Sequence, residues 1–185
     1  MRATPTDAPP EGFTYLPEFL APDEQAGLLR ALTALDYHHD TFRGRPLNRG
    51  YAQFGHAYVS TGRRLELAPP IPDVLLALAG RVAAHCPLGT AFDQCIVTHY
   101  PVSAGIGWHP DAPCFGDCIA AVSLGQTARL QFRQSGATKS CYEVHAAPGS
   151  LYVMCGPARW EFQHQVMAVR AERYSVTFRR VARPS

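Results

Sequence analysis

The sequence lacks the features that mark a membrane protein or an exported protein. No apolar run approaches the ~20 residues that a membrane-spanning helix needs, and the first residues show no signal-peptide pattern. The six cysteines include no Cys-x-x-Cys pair, so reduced thiols are expected rather than a disulfide framework or a zinc site. We therefore expect a cytoplasmic protein with no membrane partner, and no feature points to an obligate protein partner.

Positive charge is almost entirely arginine, and acidic residues are missing from one stretch. Lysine contributes one of the 17 basic residues, and the net charge of +2 does not by itself indicate a nucleic-acid partner. From Thr41 to Leu65, however, there are five arginines, four aromatic residues and no Asp or Glu. Arginine contacts phosphates and aromatic rings stack on bases, which suits binding of a single strand or a flipped base. The alternation from Tyr51 to Val59 would equally suit the core side of a strand.

Length and periodicity predict one domain with two N-terminal helices. The 185 residues suffice for a single sizeable core. Residues 1–12 are rich in Pro and Thr and are expected to form a flexible tail, with one domain over residues 13–185. Apolar periodicity predicts a helix from Pro22 and another from Pro72–Asp73 that stops before Pro87. We expect both helices to back a sheet.

From residue 94 the sequence changes to short β-rich segments separated by Gly, Pro and polar residues. The predicted strands are Cys95 to Tyr100, Ile119 to Leu124, Ala128 to Phe132, Cys141 to Val144, Ser150 to Met154, His164 to Val169 and Tyr174 to Val181. Many short strands separated by such residues predict a double-stranded β-helix, or jelly roll, over residues 94–181. The predicted fold class is therefore α+β, mainly β, with a jelly-roll core backed by N-terminal helices.

His109, Asp111 and His164 form a candidate metal site. Side chains at i and i+2 share one face of a strand, so His109 and Asp111 could grip one ion and His164 could complete the set. Two histidines and one carboxylate leave coordination positions open, as in non-haem Fe(II) oxygenases, whereas a structural zinc site is closed by four ligands. The His-x-Asp triplet alone is a weak signal because it arises by chance.

Arg173 and Arg179 strengthen the metal-site interpretation. They lie an even number of positions apart, so they share a face if this segment is a strand. Their guanidinium groups suit bidentate binding of a dicarboxylate. The pattern therefore predicts a site for an organic acid beside the metal site.

From about Asp93 to Arg180 the sequence resembles the AlkB-like branch of the Fe(II)/2-oxoglutarate-dependent dioxygenases. The motifs that carry this resemblance follow the family order: Thr98-His99-Tyr100, Gly105-Ile106-Gly107, His109-Pro110-Asp111, Ser123-Leu124-Gly125, Gly156 to Trp160 before His164, and Arg173 to Arg179. Membership would make residues 13–185 a single AlkB-like dioxygenase domain, with residues 37–68 as its substrate lid. It would also imply Fe(II) as the metal, with 2-oxoglutarate and O₂ as cosubstrates.

The resemblance also implies roles for individual residues. His109, Asp111 and His164 would be the catalytic iron ligands, and Arg173 would pair with the distal carboxylate of 2-oxoglutarate. The remaining cosubstrate contacts would be Arg179, Tyr100, Thr98 and Ser175. Thr98 and Ser175 stand where many relatives have amides, and Pro113 stands where some nucleic-acid demethylases have an acidic residue that contacts the base.

The leading functional hypothesis is oxidative demethylation or hydroxylation of alkylated nucleobases in DNA or RNA. The alternative is a 2-oxoglutarate-dependent hydroxylase of a small molecule or a protein side chain, and a third possibility is a binding module without catalysis. Candidate substrate contacts are Arg45, Arg49, Tyr51, Phe54, Trp108 and Arg159. Trp108 would either wall the metal pocket or pack beneath its strand.

Overall fold

A computed structural model describes residues 8–42, 44–87 and 91–182 of the chain. A six-stranded antiparallel sheet forms the centre of the described structure. Two helices cover one of its faces, and a four-stranded sheet packs against the other. The predicted fold class, a mainly β jelly roll backed by N-terminal helices, is confirmed.

The two long helices are those that the sequence predicts. Helix α1 spans Pro22–Thr33, with Pro22 at its start and two acidic residues in its first turn, where they favour the positive end of the helix dipole. Helix α2 spans Asp73–Ala83 and buries an apolar face that includes Leu75 and Val82. The short α3, Gly156–Trp160, was not predicted.

The strands form two principal sheets and two hairpins. In spatial order, the larger sheet contains β1 (Phe13–Leu16), β12 (Leu151–Cys155), β9 (Phe115–Gly125), β14 (Arg173–Val181), β7 (Gln94–Tyr100) and β4 (Gly50–Phe54). The smaller sheet contains β11 (Tyr142–Ala146), β10 (Ala128–Gln134), β13 (Phe162–Val166) and β8 (Ile106–His109). The hairpins pair β2 (Thr41–Phe42) with β3 (Arg45–Pro46), and β5 (His56–Val59) with β6 (Arg64–Leu67). Each of the seven predicted strands corresponds to one of these strands, although Cys141, Ser150 and residues 167–169 lie just outside β11, β12 and β13.

Strand alternation gives the larger sheet two chemically different faces. On β14, Tyr174, Val176 and Phe178 point toward α1 and α2 and belong to the apolar cluster beneath the helices. The intervening residues, from Arg173 to Arg179, point toward the smaller sheet. This second face builds the site described below.

The segment predicted as a lid, residues 37–68, does not behave as one unit. Strand β4 is the edge strand of the larger sheet, where it pairs with β7. The β5–β6 hairpin lies outside that sheet, and Tyr58 and Val59 from it reach the central cavity. A lid role therefore remains a prediction only for the parts outside β4.

The structure describes only part of the predicted flexible tail, residues 1–12. Residues 1–7 lie outside the described residues, whereas Glu11 and Gly12 are tied down. The Gly12 carbonyl accepts from the Cys155 amide at 2.9 Å, and the Glu11 carbonyl accepts from Ala158 at 2.8 Å. Gly12 has φ +83°, and a Cβ there would lie 2.0 Å from the Cys155 carbonyl oxygen, so this close crossing requires glycine. Within the described ranges, no helix combines the length and apolarity needed to cross a membrane.

Candidate active site

A cavity of about 540 Å³ lies between the two sheets and is lined by residues of both. His109, Asp111 and His164 all line it. His109 is the last residue of β8 and lies directly opposite His164 of β13 in the antiparallel register. Their ring centres are 4.4 Å apart. The structure therefore brings the predicted metal ligands together.

A loop, and not a strand as expected, brings the Asp111 side chain to the two histidines. Strand β8 ends at His109, so Asp111 is not part of a strand and strand alternation does not orient it. It follows Pro110 in a loop that leads into β9. The loop backbone, rather than the i, i+2 rule, turns the carboxylate toward the histidines.

The Asp111 carboxylate is held in its charged form. Burial is the largest single influence and opposes its ionisation, but the surrounding positive charges, Arg179 first, together outweigh it, and the pKa of Asp111 falls to about 2. Arg179 Nη2 lies 2.5 Å from Oδ1, and His164 Nε2 lies 3.8 Å from Oδ2. The acid is therefore an anion throughout the physiological pH range.

The two histidines are neutral, as metal ligands must be. Burial lowers the pKa of His164 to about 3, and burial likewise lowers the pKa of His109. His109 Nδ1 lies 2.8 Å from the Gly107 carbonyl oxygen. A neutral ring that donates from Nδ1 keeps the lone pair of Nε2 available, which is a common arrangement behind metal-binding histidines.

The donor set fits a divalent iron ion in its chemistry, with one adjustment. Among the residues described, no three His, Cys, Asp or Glu side chains are already grouped as a metal site. One oxygen of the Asp111 carboxylate, Oδ1, pairs with Arg179, and the other, Oδ2, faces His164. The side chains would therefore draw closer together around an ion, with Oδ2 as the donor from Asp111.

Arg173 carries an unused buried donor, as expected for an organic-acid site. Its side chain is 1% exposed, and Nε donates to Ser123 Oγ at 3.1 Å. Nη1 is buried and has no hydrogen-bond partner among the described residues. The guanidinium lies 4.9 Å from the ring centre of Tyr100, and Tyr100 lines the cavity. Arg173 itself does not line the cavity, whereas Tyr100, whose ring lies against it, does.

The other expected cosubstrate residues surround the same wall. Arg173 pairs with Tyr100, and Ser175 pairs with Thr98, across the β14–β7 register. Thr98, Tyr100, Ser175 and Arg179 all line the cavity. Arg179 also holds a buried Nε without a hydrogen-bond partner in the described structure. Unpaired buried donors are costly, and an anionic ligand would satisfy them.

Two of the six candidate substrate contacts line the cavity, and four do not. Arg49 and Tyr51 line the cavity, and Tyr51 donates its hydroxyl to Asp40 Oδ1 at 2.9 Å. Arg45 is exposed on β3 and does not line the cavity. The remaining three candidates, Phe54, Trp108 and Arg159, lie elsewhere.

Phe54 and Trp108 point away from the cavity. Phe54 packs against the apolar cluster beneath the helices, because it alternates with Tyr51 and Gln53 along β4. The strand-core interpretation is thus correct for Phe54. The guanidinium of Arg133 lies over the Trp108 ring, 4.5 Å from the ring centre, and Trp108 does not line the cavity. Neither expected substrate contact is supported by the position of the side chain.

Arg159 holds the loop that carries Asp111. The side chain is 3% exposed, and its guanidinium donates to the carbonyl oxygens of Asp111 at 3.3 Å and Ala112 at 2.8 Å. It also donates to Phe115 at 3.2 Å and Gly116 at 3.3 Å. A buried guanidinium with these partners cannot contact a substrate in the cavity. Its position therefore favours a structural role at the metal loop over the expected substrate contact.

The cavity is also lined by residues that the sequence analysis did not name as candidate contacts, and three of them bear on the substrate side. Asp40, Gln53 and Tyr58 all line the cavity. Gln53 holds the hairpin in place, since its Oε1 accepts from the Tyr58 amide at 2.8 Å and its Nε2 donates to the Tyr58 carbonyl at 3.3 Å. Alternation along β4 from Tyr51 would have identified Gln53. Nothing in the sequence pattern singles out Asp40.

Comparison with known proteins agrees with this arrangement. Residues 12–179 match the 2OG-Fe(II) oxygenase superfamily. The chain belongs to this superfamily. As a 2OG-Fe(II) oxygenase, it uses Fe(II), 2-oxoglutarate and O₂, and the expected cofactor and cosubstrates are confirmed at the level of the family.

The fold of this oxygenase is AlkB-like. The solved structure of OsALKBH1 superposes with a TM-score of 0.76 at 20% sequence identity, covering 95% of this chain and 99% of that one. No curated protein matches the sequence. The family match thus confirms the expected Fe(II)/2-oxoglutarate oxygenase, and the superposition shows that its fold resembles that of OsALKBH1.

Proposed function

We propose that this oxygenase removes alkyl groups from, or hydroxylates, nucleobases in DNA or RNA. The observation that carries this proposal is the composition of the cavity wall above the histidines. Arg49, Tyr51 and Tyr58 line that wall, and all three come from the arginine-rich stretch without acidic residues. Aromatic side chains stack on bases and arginine binds phosphate, so the wall suits an unpaired nucleotide.

We assign the iron to His109, Asp111 and His164. The support is their convergence on one cavity, the neutral histidines and the charged carboxylate. Bound there, Fe(II) with 2-oxoglutarate and O₂ supplies the oxidation of a C–H bond. The rest of the chain binds, orients and shields the reactants.

We assign 2-oxoglutarate to the wall that contains Arg179, Tyr100, Thr98 and Ser175, with Arg173 behind it. The buried Nη1 of Arg173 and Nε of Arg179 are donors that need an acceptor. Two guanidinium groups on one strand face match the two carboxylates of a dicarboxylic acid. The hydroxyls of Thr98 and Ser175 can both donate and accept, so they substitute for the amides common in relatives.

On the substrate side, we assign Arg49 to the polynucleotide backbone and the two tyrosines to the base. Arg49 is half-buried in the cavity wall, and the structure gives it no carboxylate partner among the described residues. Its charge is therefore available to a phosphate. Asp40, held by Tyr51, offers a carboxylate oxygen to an N–H group of the bound base.

Mass spectrometry of modified oligonucleotides tests this proposal. Single-stranded DNA and RNA carrying N-methylated bases would be incubated with the protein, Fe(II), 2-oxoglutarate and ascorbate. We expect loss of a methyl group from one class of base, with no loss in a His109→Ala control. Succinate formation with every oligonucleotide unchanged would contradict a nucleobase substrate and favour a small molecule or a protein side chain.

Binding measurements at several salt concentrations test the role of Arg49. Because each phosphate contact contributes to the salt dependence of the affinity, Arg49→Glu should weaken binding and reduce the slope of log K against log [salt] by about 1. Arg30→Glu makes the same charge change on exposed α1 and serves as the control. Equal effects of the two substitutions would contradict a direct contact at Arg49.

A further inference from the structure

Three cysteines meet on the helix-covered side of the larger sheet, away from the cavity. Cys118 lies on β9, Cys155 is the last residue of β12, and Cys86 follows the end of α2. All three belong to the apolar cluster beneath the helices. Cys118 lies near enough to Cys86 and Cys155 to shift the pKa of both thiols. None of these residues has a role in the proposed reaction.

The backbone already places Cys118 and Cys155 at disulfide spacing. They are direct partners in the antiparallel β9–β12 register. Such partners have Cα atoms about 4.5 to 5.5 Å apart, within the roughly 4.4 to 6.8 Å range of disulfides. Both side chains also point to the same face of the sheet. A bond between the sulfurs therefore requires side-chain rotation rather than backbone movement.

We propose that Cys118 and Cys155 form a dithiol–disulfide site whose oxidant is a low-molecular-weight disulfide of the glutathione type. The site lies where β12 meets α3, because Cys155 is also the N-cap residue of α3, the helix that carries Arg159. Only accessible thiols react with such an oxidant. Cys155 is half-buried, whereas Cys118 and Cys86 are each 6% exposed.

The exchange proceeds in two balanced steps, with Cys155 as the attacking thiol. The hydrogen bond from Cys118 lowers the pKa of Cys155, which favours its thiolate. The thiolate attacks the small disulfide, forms a mixed disulfide and releases one small thiol. Cys118 then loses its proton and attacks the Cys155 sulfur, forming the internal disulfide and releasing the second small thiol. The protein loses two electrons and two protons, and the small disulfide gains them.

Cys86 is a less suitable partner than Cys155. Its thiol donates to the Val82 carbonyl at 3.6 Å within the last turns of the helical segment. Cys86 and Cys118 are also both too buried to make the first attack on a dissolved disulfide. The third cysteine therefore lies next to the site without being required for it.

Peptide mapping of the protein tests this proposal directly. The full chain, loaded with Fe(II) under anaerobic conditions, would be equilibrated with a series of reduced-to-oxidised glutathione ratios, alkylated and digested without reduction. Cleavage after aromatic residues separates all six cysteines, because a cleavable aromatic residue lies between each successive pair: Phe92, Trp108, Phe115, Phe132 and Tyr142. The expected product links the Cys118 peptide to the Cys155 peptide, and reduced glutathione reverses it.

Single cysteine substitutions show which two thiols form the cross-link. Cys86→Ser should leave the cross-link in place, Cys155→Ser should abolish it, and Cys141→Ser serves as a half-buried thiol control that keeps it. The wild-type digest decides the question even if a variant fails to fold. A cross-link between any other pair, or a glutathione adduct on Cys155 that never resolves, would overturn the proposal.

Discussion

The two faces of the six-stranded sheet bury different kinds of side chain, although the same strands form both faces. On the helix side of β14, Val176 and Phe178 are 0% exposed and pack into a wholly apolar cluster. On the cavity side, Arg173 and Arg179 are also largely buried, but each keeps a donor atom unpaired among the described residues. The helix face buries apolar side chains and stabilises the fold. The other is left with unsatisfied donors for which a ligand is the natural partner.

This difference shows how a strand can supply stability and binding independently. Successive side chains point to opposite faces, so a substitution on one face need not disturb the other. We expect changes on the helix side to alter the free energy of unfolding and changes on the cavity side to alter the affinity for metal or cosubstrate. The following substitutions test that separation, beginning with the largest expected effect.

Asp111→Asn should reduce Fe(II)-dependent succinate formation by at least about 100-fold, because loss of a metal ligand costs more than loss of its outer contacts. The amide keeps the shape and can still accept from Arg179, so thermal unfolding should stay cooperative. Asp117→Asn, an exposed acid on β9, is the matched control. Retention of more than a tenth of the turnover by Asp111→Asn would contradict the ligand assignment.

Phe178→Ala should lower the free energy of unfolding by about 3–5 kcal/mol, since it removes a fully buried ring and leaves a cavity beneath the helices. Denaturant titration measures this change. The Kd for 2-oxoglutarate of the folded variant should remain close to that of the wild type. Val74→Ala, which is 43% exposed on α2, should change stability by only about 0.5 kcal/mol. A large change in cosubstrate Kd would show that the two faces are coupled.

Arg159→Lys should weaken Fe(II) binding by about 10- to 100-fold, as substitutions behind a metal ligand do. Lysine keeps the charge but cannot reach all four loop carbonyls, so Asp111 is positioned less firmly. Anaerobic calorimetry measures the metal Kd, and Arg133→Lys on the outer side of the smaller sheet is the control. If the melting temperature falls while the metal Kd is unchanged, Arg159 supports the fold only.

Glu143→Gln should have the smallest effect, at most about 1 kcal/mol, because Arg129, its ion-pair partner, is 54% exposed. The hydrogen bonds from Arg129 lower the pKa of Glu143 to about 2. The stabilisation is therefore present above the ordinary glutamate pKa of about 4.3 and is lost as the pH falls toward 2. The stability difference from wild type should shrink between pH 5 and pH 2. A difference that grows toward acid pH would contradict the sign of this pKa shift.

The fold was largely predictable because its signals are local. Apolar periodicity identified α1 and α2, and turn residues separated the seven predicted strands. The short α3 has too few residues to show a helical period. The hairpins β2–β3 and β5–β6 are held by pairing that composition alone does not reveal.

The site was predictable in its residues but not in its geometry. His109, Asp111 and His164 meet as expected, yet the loop after β8 brings Asp111 in rather than strand alternation. Arg159 follows the family motif, but only the fold shows that its guanidinium faces the metal loop instead of the cavity. Asp40 belongs to the predicted lid, residues 37–68, but no residue pattern distinguishes it there from the other polar side chains.

The affinity for 2-oxoglutarate tests most directly whether the cavity face of the larger sheet binds the cosubstrate. Anaerobic calorimetry of the Fe(II)-loaded protein would compare Arg173→Gln with Arg129→Gln. A hydrogen bond to a charged group contributes about 1.5–3 kcal/mol, so loss of the guanidinium should weaken binding by roughly 10- to 100-fold. The exposed Arg129 should have no such effect. Wild-type affinity in a folded Arg173→Gln protein would contradict the claim that the unpaired donors of the cavity face bind the cosubstrate.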